Sequence, residues 1–160
     1  FNNNILITLQ FTHDHSSSYN QKIRDDLTKF IKSFPSNFIF FLKDHPRFNN
    51  AVDLSSLYKL NNVRAAPKQL RECFTICSVH ATVYSTAVFE AALFGIPSVF
   101  LINQNFRDYF QDDFQYPICT SLLTYSNKLQ YQQDSNMLKD WVQNYFQPFD
   151  SKKFILALSL

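Results

Sequence analysis

Three groups of side chains have the types and spacing to do chemistry. The first is Lys43-Asp44-His45-Pro46, which follows an apolar run. Pro46 holds the residue before it in extended geometry, so the His45 ring is aimed. An imidazole there can donate to a phosphate oxygen and titrates near neutrality. The second group is Ser85, Thr86 and Glu90, inside a stretch that runs from His80 to Val99. Ser85 suits a helix N-cap, and the free amides of the helix it opens, with two adjacent hydroxyls, can hold an anion without glycine. Thr86 and Glu90 are four residues apart and share one helix face. Glu90 stands too far along to close a capping box with Ser85, and it interrupts the apolar surface of Phe89, Ala91, Ala92 and Leu93. A carboxylate one turn beyond a phosphate site can accept from two sugar hydroxyls. The blander readings are a turn histidine, an ordinary cap and a solvated glutamate. The third group, His13-Asp14-His15, has a spacing that suits a metal but lacks a further ligand, so a solvated loop and no metal are expected. Arg64 and Lys68 can face a diphosphate, yet solvated surface is their ordinary role.

The elements that must position these groups follow from the apolar pattern. Ile5–Leu9 is a short apolar run that reads as a buried strand, and Phe38–Leu42 is apolar throughout, as a strand covered on both faces is. Tyr19, Ile23, Leu27, Phe30 and Ile31 recur at helical steps until Pro35. Asp53–Leu60 reads as a short helix capped by Asp53, and Asn62–Ala65 as a weak strand. Pro67 opens a helix over Lys68–Cys73. Phe74–Val79 is expected as the fourth strand, His80–Tyr84 as a loop and Ser85–Phe94 as a helix that Gly95 stops. Ile96–Ile102 is expected as the fifth strand, followed by a helical stretch near Arg107 and a strand-like Ile118–Leu122. Met137, Leu138, Trp141, Val142, Tyr145 and Phe146 make an amphipathic last helix closed by Pro148. The expected fold is α/β: a Rossmann-like parallel sheet of five or six strands with helices on both faces and a C-terminal amphipathic helix. Such sheets bind ligands outside the carboxyl ends of their strands, which points to the loops after the first, second and fourth strands.

Composition narrows the function classes. The 160 residues suit one domain, residues 1–160. Fifteen Lys and Arg against thirteen Asp and Glu leave a net charge of +2, which gives no electrostatic reason to expect nucleic acid as a partner. A single glycine excludes the glycine-rich dinucleotide fingerprint and the P-loop. Cys73, Cys77 and Cys119 form no paired motif and read as buried thiols of a reducing compartment. No apolar run reaches the ~18 residues that span a bilayer.

The order of these features resembles the C-terminal, nucleotide-binding half of GT-B fold glycosyltransferases. The resemblance rests on Lys43-Asp44-His45-Pro46 and on the Ser-Thr … Glu-Ala … Gly-x-Pro pattern from Ser85 to Pro97, and it covers residues 5–102. The nearest group is the bacterial capsule and surface-polysaccharide type: sialyl- and polysialyltransferases, and polyol-phosphate transferases of teichoic-acid kind. The resemblance implies that His45, Pro46, Thr82, Ser85 and Thr86 contact the donor's phosphate, that Glu90 holds the ribose or base, and that His45 is catalytic. It implies a nucleotide-activated donor of CMP, CDP or UDP type, with no other cofactor and no metal. It implies a partner too, an N-terminal acceptor-binding domain in cis or in trans, without which the chain would be inactive. A cytoplasmic location follows, with peripheral association at the inner face of the membrane through the full-length protein. Two competing readings are a non-catalytic, flavodoxin-like or degenerate GT-B interaction module and half of a UDP-sugar 2-epimerase-like enzyme.

Overall fold

In a computed structural model the chain forms one parallel α/β sheet; the structure describes residues 2–11, 15–45, 51–101, 104–118 and 128–146. The strands are β1 (Asn4–Thr8), β2 (Ile39–Lys43), β3 (Val63–Ala65), β4 (Val79–Thr82) and β5 (Ser98–Phe100). They lie in the order β3-β2-β1-β4-β5, every neighbouring pair parallel. The helices are α1 (Ser17–Lys32), α2 (Ser55–Tyr58), α3 (Leu70–Ile76), α4 (Ala87–Leu93), α5 (Gln104–Phe114) and α6 (Lys128–Tyr145). This is the Rossmann-like sheet expected, with five strands among the described residues.

The central strand shows how the layers form. In β1, Ile5 and Ile7 join the larger core with Ile23, Leu27 and Ile31 of α1, while Leu6 between them faces Cys73 and Phe74 of α3 and Cys77 just after it. Alternation along the strand sends these side chains to opposite faces, so helices must cover both. Each such aliphatic side chain, removed wholly from water, contributes roughly 1.5–3 kcal/mol. α1 starts at Ser16, whose Oγ accepts from the Tyr19 N–H at 3.2 Å, and ends in a turn carrying Lys29 and Lys32, the sign its C-terminal dipole favours.

Several expected elements are displaced. The apolar run Phe74–Val79 is not a strand: its first part belongs to α3, and the strand begins at Val79 and takes in His80 and Thr82. A short apolar run fits a buried helix and a buried strand equally well. The tie is broken by Cys73, Phe74 and Cys77, which pack at helical spacing against Leu6, and by the pairing of polar side chains inside the sheet. α4 begins at Ala87, two residues later than expected. The last helix starts at Lys128, well before Met137. Asp53 holds the start of α2 from one residue further out, with Oδ1 accepting from the Ser55 N–H at 2.8 Å and Oδ2 from the Ser55 hydroxyl at 3.0 Å. These bonds hold its carboxyl below the ordinary range. The expected strand Ile118–Leu122 falls, after its first residue, outside the described residues, as do Pro148 and Cys119.

Cys73 and Cys77 are buried and unoxidised, and desolvation pushes the Cys77 thiol up to about 12. Among the described residues no helix is long and apolar enough to cross a membrane.

Candidate functional site

β1, β2 and β4 end side by side at Thr8, Lys43 and Thr82. The chain leaves β1 toward β2 on one side and returns through β4 on the other, so the strand order reverses between β1 and β4. Diverging connections at such a switch point leave a crevice at the carboxyl edge. A cleft of about 550 Å³ opens there.

Four segments build its walls. Thr8, Leu9 and Gln10 leave β1, and Lys43, Asp44 and His45 leave β2. Lys68 and Leu70 come from the connection between β3 and α3. Ser85, Thr86, Ala87 and Glu90 come from the turn after β4 and the first turn of α4. His45, Ser85, Thr86 and Glu90, separated by up to 45 positions in the chain, thus face one space.

The turn before α4 has its own local logic. Ser85 accepts the Ala87 N–H on Oγ at 3.2 Å, so it shapes the turn rather than capping the helix directly. A hydroxyl that accepts this bond keeps its proton to donate elsewhere. Thr86 takes the cap position in helical geometry with no side-chain cap bond, so its hydroxyl is not tied to the helix end. Thr86 and Glu90 line the same wall, as their four-residue spacing requires. Glu90 is exposed and joined to no other described residue by a hydrogen bond or ion pair. Because α4 has only seven residues, the side chains rather than the helix dipole carry the site's polarity.

Thr82 is not on the cleft. Its side chain is fully buried in β4 and its hydroxyl donates to the Thr8 carbonyl at 3.4 Å, because this register turns it into the sheet. Pro46 lies outside the described residues, and so do His13 and Asp14. His15 is half-buried, bonded through Nε2 to the Tyr84 hydroxyl, with its ring against Tyr19 and Tyr84. Among the described residues no cluster of three His, Cys, Asp or Glu side chains can hold a metal ion.

Two lysines share the cleft with His45, Ser85, Thr86 and Glu90. Lys43 and Lys68 place two ammonium groups on the cleft. Lys68, read from sequence as able to face a diphosphate but ordinarily solvated, is exposed and also lines the cleft, where the β3–α3 connection reaches the sheet edge. Arg64 behaves as expected: its guanidinium donates to the carbonyls of Asn61 and Val63, both at 2.7 Å. The one signal for Lys43 was its place at the end of an apolar run, beside the histidine. Asp44 shares this wall, and loss of solvent pushes its carboxyl above the ordinary range, against the pull of Lys43. Opposite charges and hydroxyls around one opening suit a ligand with an anionic end and a hydroxylated end.

No family model matches the chain, and no curated protein does. Solved structures do. The chain is similar to the wall teichoic acid polymerase TagF, with 20% identity and a TM-score of 0.59, over 98% of this chain and 41% of that one. A histidine variant of the same polymerase matches at 18% identity and the same TM-score, over 98% of this chain and 42% of that one. A further variant, soaked with CDPG, matches at 17% identity with a TM-score of 0.54. At such identity the likeness establishes the fold. The chain spans about two-fifths of the length of the polymerase chains that it matches.

Proposed function

We propose that this chain is the donor-binding domain of a glycosyltransferase or polyol-phosphate transferase that acts in surface polysaccharide synthesis, and that its cleft holds a CDP- or CMP-activated donor. The observation that carries the reading is the convergence of His45, Ser85, Thr86 and Glu90 on one cleft at the strand-order reversal. Lys43 and Lys68 supply positive charge for the phosphates, and His45, Ser85 and Thr86 supply directed donors. Glu90, unpaired one turn further on, is placed to accept from the ribose hydroxyls. A domain retained only for protein contact has no need to keep such a carboxylate open to a cleft. One of the similar polymerase structures was soaked with CDPG, which supports a cytidine donor over the uridine donor of an epimerase-like enzyme.

The mechanism follows from charge. When the donor's bond to the nucleotide breaks, negative charge collects on the leaving phosphate. Donors already aimed at that oxygen stabilise the transition state more than the ground state. His45 is the group best suited to this, since its ring can also give a proton to the departing oxygen. Nucleotide donors are made in the cytoplasm, so the proposal carries a cytoplasmic site of action, at the inner face of the membrane where a surface polymer begins.

Titration calorimetry of the folded chain with CMP, CDP and UDP tests binding. Heat with the cytidine nucleotides, weakened in a Glu90→Ala variant, is expected; a folded sample silent toward all three ends the proposal. In the full-length protein, His45→Ala should lower turnover by about a hundred- to a thousandfold, equivalent to ~2.7–4 kcal/mol of transition-state stabilisation, and change donor affinity much less. Undiminished turnover removes His45 from the mechanism.

A further inference from the structure

A chain of hydrogen bonds crosses the sheet and ends in the cleft. Ser98 Oγ of β5 lies 2.9 Å from His80 Nδ1 in β4, and His80 Nε2 lies 2.9 Å from Thr8 Oγ1 at the end of β1. The register puts His80 opposite Ser98 on one side and opposite Leu6, two residues before Thr8, on the other. His80 and Ser98 are sealed in the core, whereas Thr8, itself largely buried, also lines the cleft. Desolvation pulls the His80 imidazole down to about 3, so the ring is neutral and has one N–H and one lone pair.

A neutral ring allows two directions along this chain. In the first, Nδ1–H donates to Ser98 and Thr8 donates to Nε2. The Ser98 proton is then buried with no acceptor among the described residues, and an orphaned buried donor is costly. In the second, Ser98 donates to Nδ1 and Nε2–H donates to Thr8 Oγ1. Every buried proton of this hydrogen-bond chain then has an acceptor, and the proton left over is that of the Thr8 hydroxyl, at the cleft. The second direction is the one the burial favours.

We infer that Thr8 is a ligand-binding residue whose hydroxyl, oriented by Ser98 through His80, donates a hydrogen bond from the cleft floor to an anionic phosphate oxygen of the bound nucleotide. His80 and Ser98 are positioning residues. The ligand half of this inference rests on the nucleotide reading of the cleft; the direction of the hydrogen bonds does not.

Two measurements on the full chain separate these parts. Long-range ¹H–¹⁵N correlation spectra of the ligand-free protein should show His80 protonated on Nε2 and bare on Nδ1, and the opposite tautomer overturns the inference. Calorimetry with CDP should show binding weakened about ten- to a hundredfold in Thr8→Val, the usual effect of losing a hydrogen bond to a charged group, and restored in Thr8→Ser. Wild-type affinity in a folded Thr8→Val overturns the inference and leaves the nucleotide reading intact. A wild type silent toward CDP, with the Nε2–H tautomer present, overturns the nucleotide reading and the Thr8–phosphate bond together. Thr8→Val strands a buried imidazole N–H and can fail to fold, so Ser98→Ala, remote from the cleft, is the second variant. It should weaken CDP binding several-fold and mix the two His80 tautomers; unchanged affinity with an unchanged tautomer overturns the positioning role.

Discussion

His80 and His45 are chemically identical and do opposite things. His80 is fully buried among Thr8, Ser98 and the Phe74 ring, and burial alone holds its ring neutral. His45 stands half-open at the cleft. The burial of His80 has a consequence for stability. Its ring titrates near the ordinary 6.5 in the unfolded chain and only at about 3 in the folded one. Between those values the unfolded chain binds the extra proton, so stability is full above pH 6.5 and falls as pH drops toward 3. The slope approaches about 1.4 kcal/mol per pH unit in the middle of that window. Urea unfolding from pH 7.5 to 5 should show this decline, and a His80→Gln variant should lose the part due to the ring. Equal slopes in the two proteins would mean that the ring is solvated. Spacing marked His45, because a proline follows it and an apolar run precedes it. Nothing local marked His80, whose role depends on partners 72 and 18 positions away.

At the scale of elements, the joint between α4 and β5 holds the Glu90 wall in place. α4 ends with Gly95 donating to Ala92 at 2.8 Å and Ile96 donating to Ala91 at 3.0 Å, a Schellman closure that needs a left-handed residue. Gly95 provides it at φ +66°, and Ser135 of α6 bonds its carbonyl at 2.7 Å. An added Cβ would stand 2.9 Å from Lys139 Cε, the far end of a flexible side chain that can move. The left-handed backbone angle is the main cost, and Ser135 Oγ, 3.1 Å from that Cβ, must also give by a few tenths of an ångström. Gly95→Ala should lower unfolding free energy by about 1–2 kcal/mol, and Gly95→Asn by less, since asparagine tolerates this conformation better. Equal losses measured by denaturant unfolding would point to crowding against α6 instead. This joint was legible in sequence, as the only glycine followed by a proline two residues on. The boundary between α3 and β4 was not, because continuous apolar character carries no period, and only packing against Leu6 on one face of the sheet decides it.

At the scale of the whole molecule, the described residues form one sheet with a cleft at its carboxyl edge, and the chain covers about two-fifths of the polymerase chains that share its fold. If the proposed function holds, donor binding and transfer separate: the chain alone should bind CDP yet release no product from a CDP-activated polyol. Turnover should appear only when a second domain with an acceptor site is supplied, in cis or in trans. Product formed by the isolated chain would mean that the catalytic groups are all within these residues. The sequence by itself determined the strand–helix alternation, the parallel sheet that such alternation requires and the segments that end at its carboxyl edge, because hydrophobic period, proline and the single glycine act over a few residues. Tertiary structure alone decided that Lys43, Lys68 and Thr8 share a cleft with His45, that Thr82 turns away from it and that His80 is locked inside the sheet. Those outcomes depend on strand order, register and burial, which bring together groups that no local spacing relates.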